Sequence, residues 1–435
     1  MRSAAHAMRP VGVAALVIAV AMLGAPGSTH AAPVVPVAPV ADAAKTRVGP
    51  KGRAFYNPPR PLPAGRAGAL IWARPIPAPK GAKAWKVLYR STLHNGKAVA
   101  VSGLVVAPAR KPPRGGRRVV AWAHGTLGGA RNCAPSIPGN PARNLASYYT
   151  YTSPYFLDVG VPALTRFLRA GYVVTATDYQ GLGTPGVHQY VVGATEAHNV
   201  LDSVKAAKQI DAAGAGNEVV VLGWSQGGGA AIFAGQAAAA SYGKPLRVRG
   251  IAALAPAADI GPEFALQTPP GPTSPSSPFH DAVLGLNVFR GFAAAYPELD
   301  TDSVVAPPGR QALRALDVEC TIHVADVLQE LGTDPATMFT RPIPAEWQRR
   351  LDENTAGNES TVAPLLVMQG TADTVVNPNG STQYVQRACN FGQPVDYSVY
   401  QGANHQTIPF VAQNKYVRWI ADRFARKRAA SNCPP

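Results

Sequence analysis

The sequence predicts an α/β fold, with a mostly parallel central sheet flanked by helices and a helical cap inserted late in the chain. Three observations lead there. Short, almost continuously apolar runs recur at 119–123, 172–177, 219–223, 251–255 and 365–368. Runs that are apolar on both faces suit central parallel strands covered by helices. Helical segments fall between them, and strands alternating with helices build such a sheet. The interval 259–362 breaks the rhythm: it has no buried strand pattern, yet holds too much Val, Leu and Phe for a disordered loop.

Arg2 and Arg9, an apolar run over 11–23 and small residues near Ala31 open the chain. That is the layout of a secretory signal peptide, expected to cover residues 1–31 and to deliver the protein outside the cell. The run is short for a bilayer, which takes about 20 apolar residues. No later stretch is long and apolar enough, so no stable membrane span is expected. Residues 32–53 are rich in Ala and Pro and read as an extended leader. The core is expected over 54–258 and again over 363–435, split by the cap at 259–362.

Residues 85–92 and 98–107 flank Asn95-Gly96, a hairpin signal, and should form an antiparallel pair at the sheet edge. Helices are expected at 196–210, with Val200, Val204 and Ala207 in one stripe, and at 228–240, rich in Ala. A last helix is expected at 411–428, with Trp419, Ile420 and Phe424 inward and a basic outer side. Inside the cap, 269–278 is nearly all Pro, Ser, Thr and Gly, while 310–316 and 322–331 read as helices.

The formal charge is +16. Lys and Arg are scattered apart from clusters at 111–118 and 423–428, and no nucleic-acid motif accompanies them. Solubility or attraction to an anionic envelope or lipid surface explains the charge more economically than nucleic-acid binding. The four cysteines, Cys133, Cys320, Cys389 and Cys433, are an even count, which favours two disulfides in an exported protein. No two lie close enough in sequence for a zinc site, and spacing leaves all three pairings open.

The chemistry centres on Gly223-Trp224-Ser225-Gln226-Gly227, a G-x-S-x-G motif after an apolar strand and before an Ala-rich helix. In that context the motif is the nucleophile elbow of an α/β-hydrolase. The serine sits on a tight turn, so the residues two before and two after, Gly223 and Gly227, must be tiny. A serine hydroxyl needs a base and an orienting acid. In this fold they follow in the order Ser, acid, His. His280, His323 and His405 lie downstream of Ser225; the first two fall in the cap. His405, in the loop before the last helix, is the expected base.

Asp373, in the loop after the strand at 365–368, is the expected acid. Asp259 is its rival, better read as a cap at the start of the insert. The oxyanion donors are expected to be the backbone of Gln226 and Thr126, with Gly125 and Leu127 as neighbouring choices for the second. His124 precedes the serine and reads as a structural residue of that loop. Residues 178–183 lack the Lys and Gly spacing of a phosphate loop and read as a tight turn.

These motifs, with Tyr89-Arg90-Ser91-Thr92, His124-Gly125-Thr126 and Gly370-Thr371-Ala372-Asp373, resemble the secretory lipase family, the lipase-A type of α/β-hydrolase, across most of 54–425. The resemblance implies a triacylglycerol lipase or carboxylesterase with a helical cap over an acyl-binding tunnel and a Ser225, Asp373, His405 triad. It also implies the pairings Cys133 with Cys320 and Cys389 with Cys433. The chain departs from the family at Thr126, where the lipase-A type carries Asp.

The expected activity is hydrolysis of carboxylic esters through an acyl-enzyme, on lipid or other ester substrates and at a lipid–water interface, without metal or organic cofactor. An acyltransferase using the same triad, and a silent lipid-binding hydrolase fold, are the rival readings.

Overall fold

The computed structural model describes residues 47–144, 160–265 and 278–433. The expected signal peptide, the leader up to residue 46 and most of the 269–278 run lie outside them.

Among the described residues nine strands form one sheet: β1 (Leu70–Ile76), β2 (Ala82–Thr92), β3 (Ala98–Pro108), β4 (Arg117–Ala123), β5 (Val173–Thr177), β6 (Ala215–Trp224), β7 (Arg247–Leu254), β8 (Leu365–Gly370) and β9 (Val395–Tyr400). Their spatial order is β1-β2-β3-β5-β4-β6-β7-β8-β9. From β5 to β9 every pairing is parallel; β1/β2, β2/β3 and β3/β5 are antiparallel. The β2–β3 hairpin around Asn95-Gly96 therefore does not form the sheet edge as expected, because β1 pairs outside it.

The helices are α1 (Pro141–Asn144), α2 (Leu164–Arg169), α3 (Gly193–Ala207), α4 (Gln226–Ala239), α5 (Ile260–Ala265), α6 (Pro278–Ala295), α7 (Pro307–Ala315), α8 (Thr321–Glu330), α9 (Ala345–Glu353), α10 (Pro378–Asn390), α11 (Ile408–Val411) and α12 (Gln413–Phe424). The expected last helix at 411–428 is thus two helices, and the basic residues 426–428 lie beyond α12. Arg426 has φ 58°, which a continuing helix does not allow.

The central strands β4 to β8 are buried on both faces, and period-two alternation assigns each side chain to one of them. Val219 and Val221 of β6 pack with α3 and α4 through Val200, Val204 and Ile232. Val220 and Leu222 face the other way, onto Phe167 of α2 and Trp419, Ile420 and Phe424 of α12.

Between β7 and β8 the chain forms α5 to α9. Val283, Leu286, Phe289 and Phe292 of α6 meet Trp347 and Leu351 of α9 in a cluster of their own, which also takes in Tyr190, Val191 and Val192.

Both outer strands are partly covered by segments outside the sheet's strands. Residues 47–53, the last part of the expected leader, begin by running along β1: Val48 bridges Ala73, and the Ala73 N–H donates to the Arg47 carbonyl at 3.0 Å. At β9, the Asn432 N–H donates to the Val395 carbonyl at 2.9 Å. The Asn432 side chain donates to the Tyr397 carbonyl and accepts from its N–H, both at 2.8 Å. Disulfides join Cys133 to Cys320 and Cys389 to Cys433, with Cα atoms 5.6 and 5.5 Å apart. No helix among the described residues is long and apolar enough to cross a membrane.

Candidate active site

Ser225 occupies the turn between β6 and α4 with φ 58° and ψ −124°, a backbone state that costs a residue with a Cβ strain energy. The end of β7 and the segment just after it hold it there: its N–H donates to the Leu254 carbonyl, and its own carbonyl accepts from the Ala257 N–H, both at 3.0 Å. The flanking glycines have no room for side chains. A Cβ on Gly223 would strike the Gly227 carbonyl, and one on Gly227 would strike the Ala123 carbonyl. That second approach seats the first turn of α4 against the end of β4, where the segment from His124 to Gly129 begins.

His405, Asp373 and Ser225 come together from three loops at the carboxyl ends of the strands, and all three are buried. His405 Nε2 lies 2.9 Å from Ser225 Oγ, and its Nδ1 lies 2.8 Å from Asp373 Oδ2. An ionised carboxylate only accepts, so the ring proton belongs on Nδ1, and Nε2 is left to accept from the serine hydroxyl.

Asp373 is well suited to stay ionised. Its Oδ1 accepts from the Val375 and Val376 amides at 2.9 Å each, and its Oδ2 also accepts from Gln369 Nε2 at 3.0 Å. Burial alone would raise its carboxyl, but the electrostatic attraction of the His405 ring, the His405 hydrogen bond and the two amides outweigh it and hold the group below the ordinary carboxylate range. Gln369 is fixed in turn by the Ser381 hydroxyl, which donates to its Oε1 at 2.8 Å.

The second half of the site is the segment after β4. Thr126 Oγ1 lies 2.7 Å from the Tyr190 hydroxyl. The Leu127 carbonyl accepts from Thr321 at 3.0 Å, and Gly128 bridges Cys320, so the Cys133–Cys320 disulfide closes a seam between this segment and α8. His124 is buried, with Nδ1 2.7 Å from the Gly125 carbonyl, and burial pushes it down to about 4. It is a neutral structural side chain.

The rival acid, Asp259, accepts from Arg387 at 2.6 Å. His323 lies on the surface, 3.5 Å from Glu319. In the 178–183 turn, Asp178 accepts from Ser102 at 2.6 Å and from the Ser136 N–H at 3.0 Å, stitching β3 and the 131–136 segment to the end of β5.

Sequence reasoning missed Gln369, which braces Asp373, and the indole of Trp224, which reaches the His405 loop. Trp224 stands in the elbow motif and Gln369 just before Gly370-Thr371-Ala372-Asp373, but nothing in local spacing ties either to its partner. Nor did any local signal single out His188, Tyr190 and Glu196, whose contacts with Gln226 and Thr126 are wholly non-local.

Residues 157–432, more than half of the chain, match the model of the secretory lipase family. The secreted triacylglycerol lipase LIP4 of Malassezia furfur is 24% identical over 367 residues, covering 80% of this chain and 64% of that protein. The chain therefore spans less than two thirds of that relative's length. Among solved structures, Candida antarctica lipase A in its closed state superposes with a TM-score of 0.69 at 20% identity, covering 87% of each chain. The rice cell wall degrading esterase LipA from Xanthomonas oryzae gives a TM-score of 0.67 at 16% identity, over 84% of this chain and 100% of that one. These likenesses bear out the α/β-hydrolase fold.

Proposed function

The chain belongs to the secretory lipase family, and on that premise we propose that it is a secreted serine hydrolase of carboxylic esters, acting on lipid esters such as triacylglycerols. The observation that carries the reading is the continuous line of hydrogen bonds from Ser225 Oγ to His405 and from His405 to Asp373, at 2.9 and 2.8 Å.

In this mechanism His405 Nε2 takes the Ser225 proton as Oγ attacks the ester carbonyl carbon. Asp373 holds the imidazole in register and stabilises its cationic form. The carbonyl π pair becomes an oxyanion, received by the Gln226 N–H at the start of α4, where the helix dipole also favours negative charge, and by Thr126. Collapse expels the alcohol, which takes the proton from His405. Water then repeats the sequence on the acyl-enzyme and releases the acid. Helices α5 to α9 are read as a cap that shapes acyl-chain selection.

The test is the initial rate on p-nitrophenyl esters from acetate to palmitate, for the mature protein beside Ser225→Ala. The reading expects turnover that vanishes with the serine. Turnover retained by Ser225→Ala, or none by the wild type, overturns it.

A further inference from the structure

Behind the elbow lies a buried polar cluster that the proton transfers do not use. The Gln226 side-chain nitrogen donates to Glu196 Oε1 at 2.6 Å and lies 3.0 Å from His188 Nε2. A primary amide has two N–H groups, so it can serve both. The neighbours set the roles. His188 Nδ1 donates to the Gln180 carbonyl at 2.8 Å, which leaves Nε2 as an acceptor, and burial pushes the ring down to about 4, so it is neutral. Glu196 Oε1 also accepts from the Val191 N–H at 2.9 Å. His188 is 3% exposed, and Glu196 and Gln226 are 1% exposed.

Two residues beyond His188, the Tyr190 hydroxyl meets Thr126 Oγ1 at 2.7 Å. One short segment thus touches both halves of the proposed oxyanion site: the residue after the nucleophile and the loop after β4. The segment is itself pinned. Gln180 Nε2 donates to the Val187 carbonyl at 3.0 Å, and the Thr195 hydroxyl donates to Gln189 Oε1 at 2.7 Å. On its other side it meets α6. Gln189 Nε2 donates to the Ala294 carbonyl at 3.3 Å, and a Cβ on Gly291 would press on the Tyr190 backbone.

We infer that His188, Tyr190 and Glu196 are positioning residues that aim Gln226 and Thr126 at the developing oxyanion, and that the seating of α6 against this segment helps set that aim. The inference rests on the hydrolase reading above. Its physical basis is that oxyanion donors stabilise the transition state only when held in place before reaction. Anchoring the Gln226 side-chain amide to two fixed acceptors holds in place the residue whose backbone N–H is the donor.

The test measures ester kinetics on active-site-titrated protein, together with the Ki of an alkyl trifluoromethyl ketone. Addition of this ketone forms the Ser225 Oγ–carbon bond, turns the carbonyl π pair into an oxyanion and moves the serine proton to His405, so its Ki reads oxyanion stabilisation. Tyr190→Phe and His188→Phe are expected to lower kcat about 10-fold or more, less than the 10²–10³ of outright donor loss, with KM little changed and ketone Ki raised in parallel. Glu196→Gln keeps an acceptor for Gln226 and Val191 and should retain most of kcat, whereas Glu196→Leu should not.

A fall in kcat with ketone Ki unchanged, or Tyr190→Phe and His188→Phe variants with wild-type kcat, overturns the inference. If Glu196→Leu does not fold, Tyr190→Phe, which removes a single oxygen, decides. A wild type that neither hydrolyses esters nor binds the ketone overturns the hydrolase reading itself, a result distinct from any difference between variants.

Discussion

The indole N–H of Trp224 donates to the His405 carbonyl across 3.0 Å, and the two rings lie 4.9 Å apart. The residue just before the proposed nucleophile therefore ties down the loop that carries the proposed base, from 181 positions away in the chain. Trp224→Phe keeps a ring there and deletes the bond. The expected cost is about 1 kcal/mol of stability, with a several-fold lower kcat as the His405 loop loosens. Urea midpoints and ester kinetics check both; an unchanged kcat would show that the loop holds its place without the indole.

Asp373→Asn should be far more damaging to activity than to folding. The Asn oxygen can still accept from Val375 and Val376, but its NH₂ would face His405 Nδ1–H. The ring must then move its proton to Nε2, where it can no longer receive one from Ser225. A loss of about 10⁴ in kcat is expected, with a nearly unchanged thermal midpoint. Initial rates on titrated enzyme measure it, and a loss smaller than tenfold would remove Asp373 from the acid's role.

The Cys133–Cys320 bridge spans 187 residues. Replacing both cysteines by Ala should cost about 2–5 kcal/mol. Because the bridge flanks the segment that carries Thr126, kcat should fall as well. Denaturation midpoints beside ester rates separate the two effects.

Glu196 predicts a pH dependence of stability. Burial raises its carboxyl from 4.5 to about 8, against the lowering bonds from Gln226 and Val191. A folded value above the unfolded one gives a contribution to folding that is complete below 4.5 and lost as pH rises through about 8. His124, His188 and His198, all held down to about 4 by burial, are neutral when folded, and above their ordinary 6.5 they are mostly neutral when unfolded too. Between pH 6.5 and 8 the wild type should therefore lose stability that Glu196→Gln does not lose. Urea midpoints at the two ends of that window, for both proteins, decide; parallel curves would show that Glu196 is not the source.

The parts of the site that could be read in the sequence are those with local causes. The elbow is a local contact problem, solved by glycines two residues either side of Ser225, so it appears as a motif. His405 and Asp373 follow from chain order once that fold is assumed. Strand β1 escaped because a register shift between Leu70 and Trp72, and the pair Arg74-Pro75, erase its alternation. A proline is tolerated there because β1 is an edge strand. Glu196 escaped for the opposite reason. An acid in an amphipathic helix reads as solvent-facing, and only the three-dimensional placement of Gln226 and Val191 explains why this one is buried.

Edge strands carry open rows of N–H and C=O groups, which invite strands from other molecules. Here the 47–49 segment occupies part of the outer row of β1, and Asn432 occupies part of that of β9, fastened by Cys433. The second cover depends on a covalent clasp. Reduction of that bond should loosen the segment and open the outer row of β9, and self-association is then expected to begin at that flank while the sheet's centre is still folded. On this reading the Cys389–Cys433 disulfide bears on colloidal behaviour in concentrated solution, separately from the chemistry proposed at Ser225.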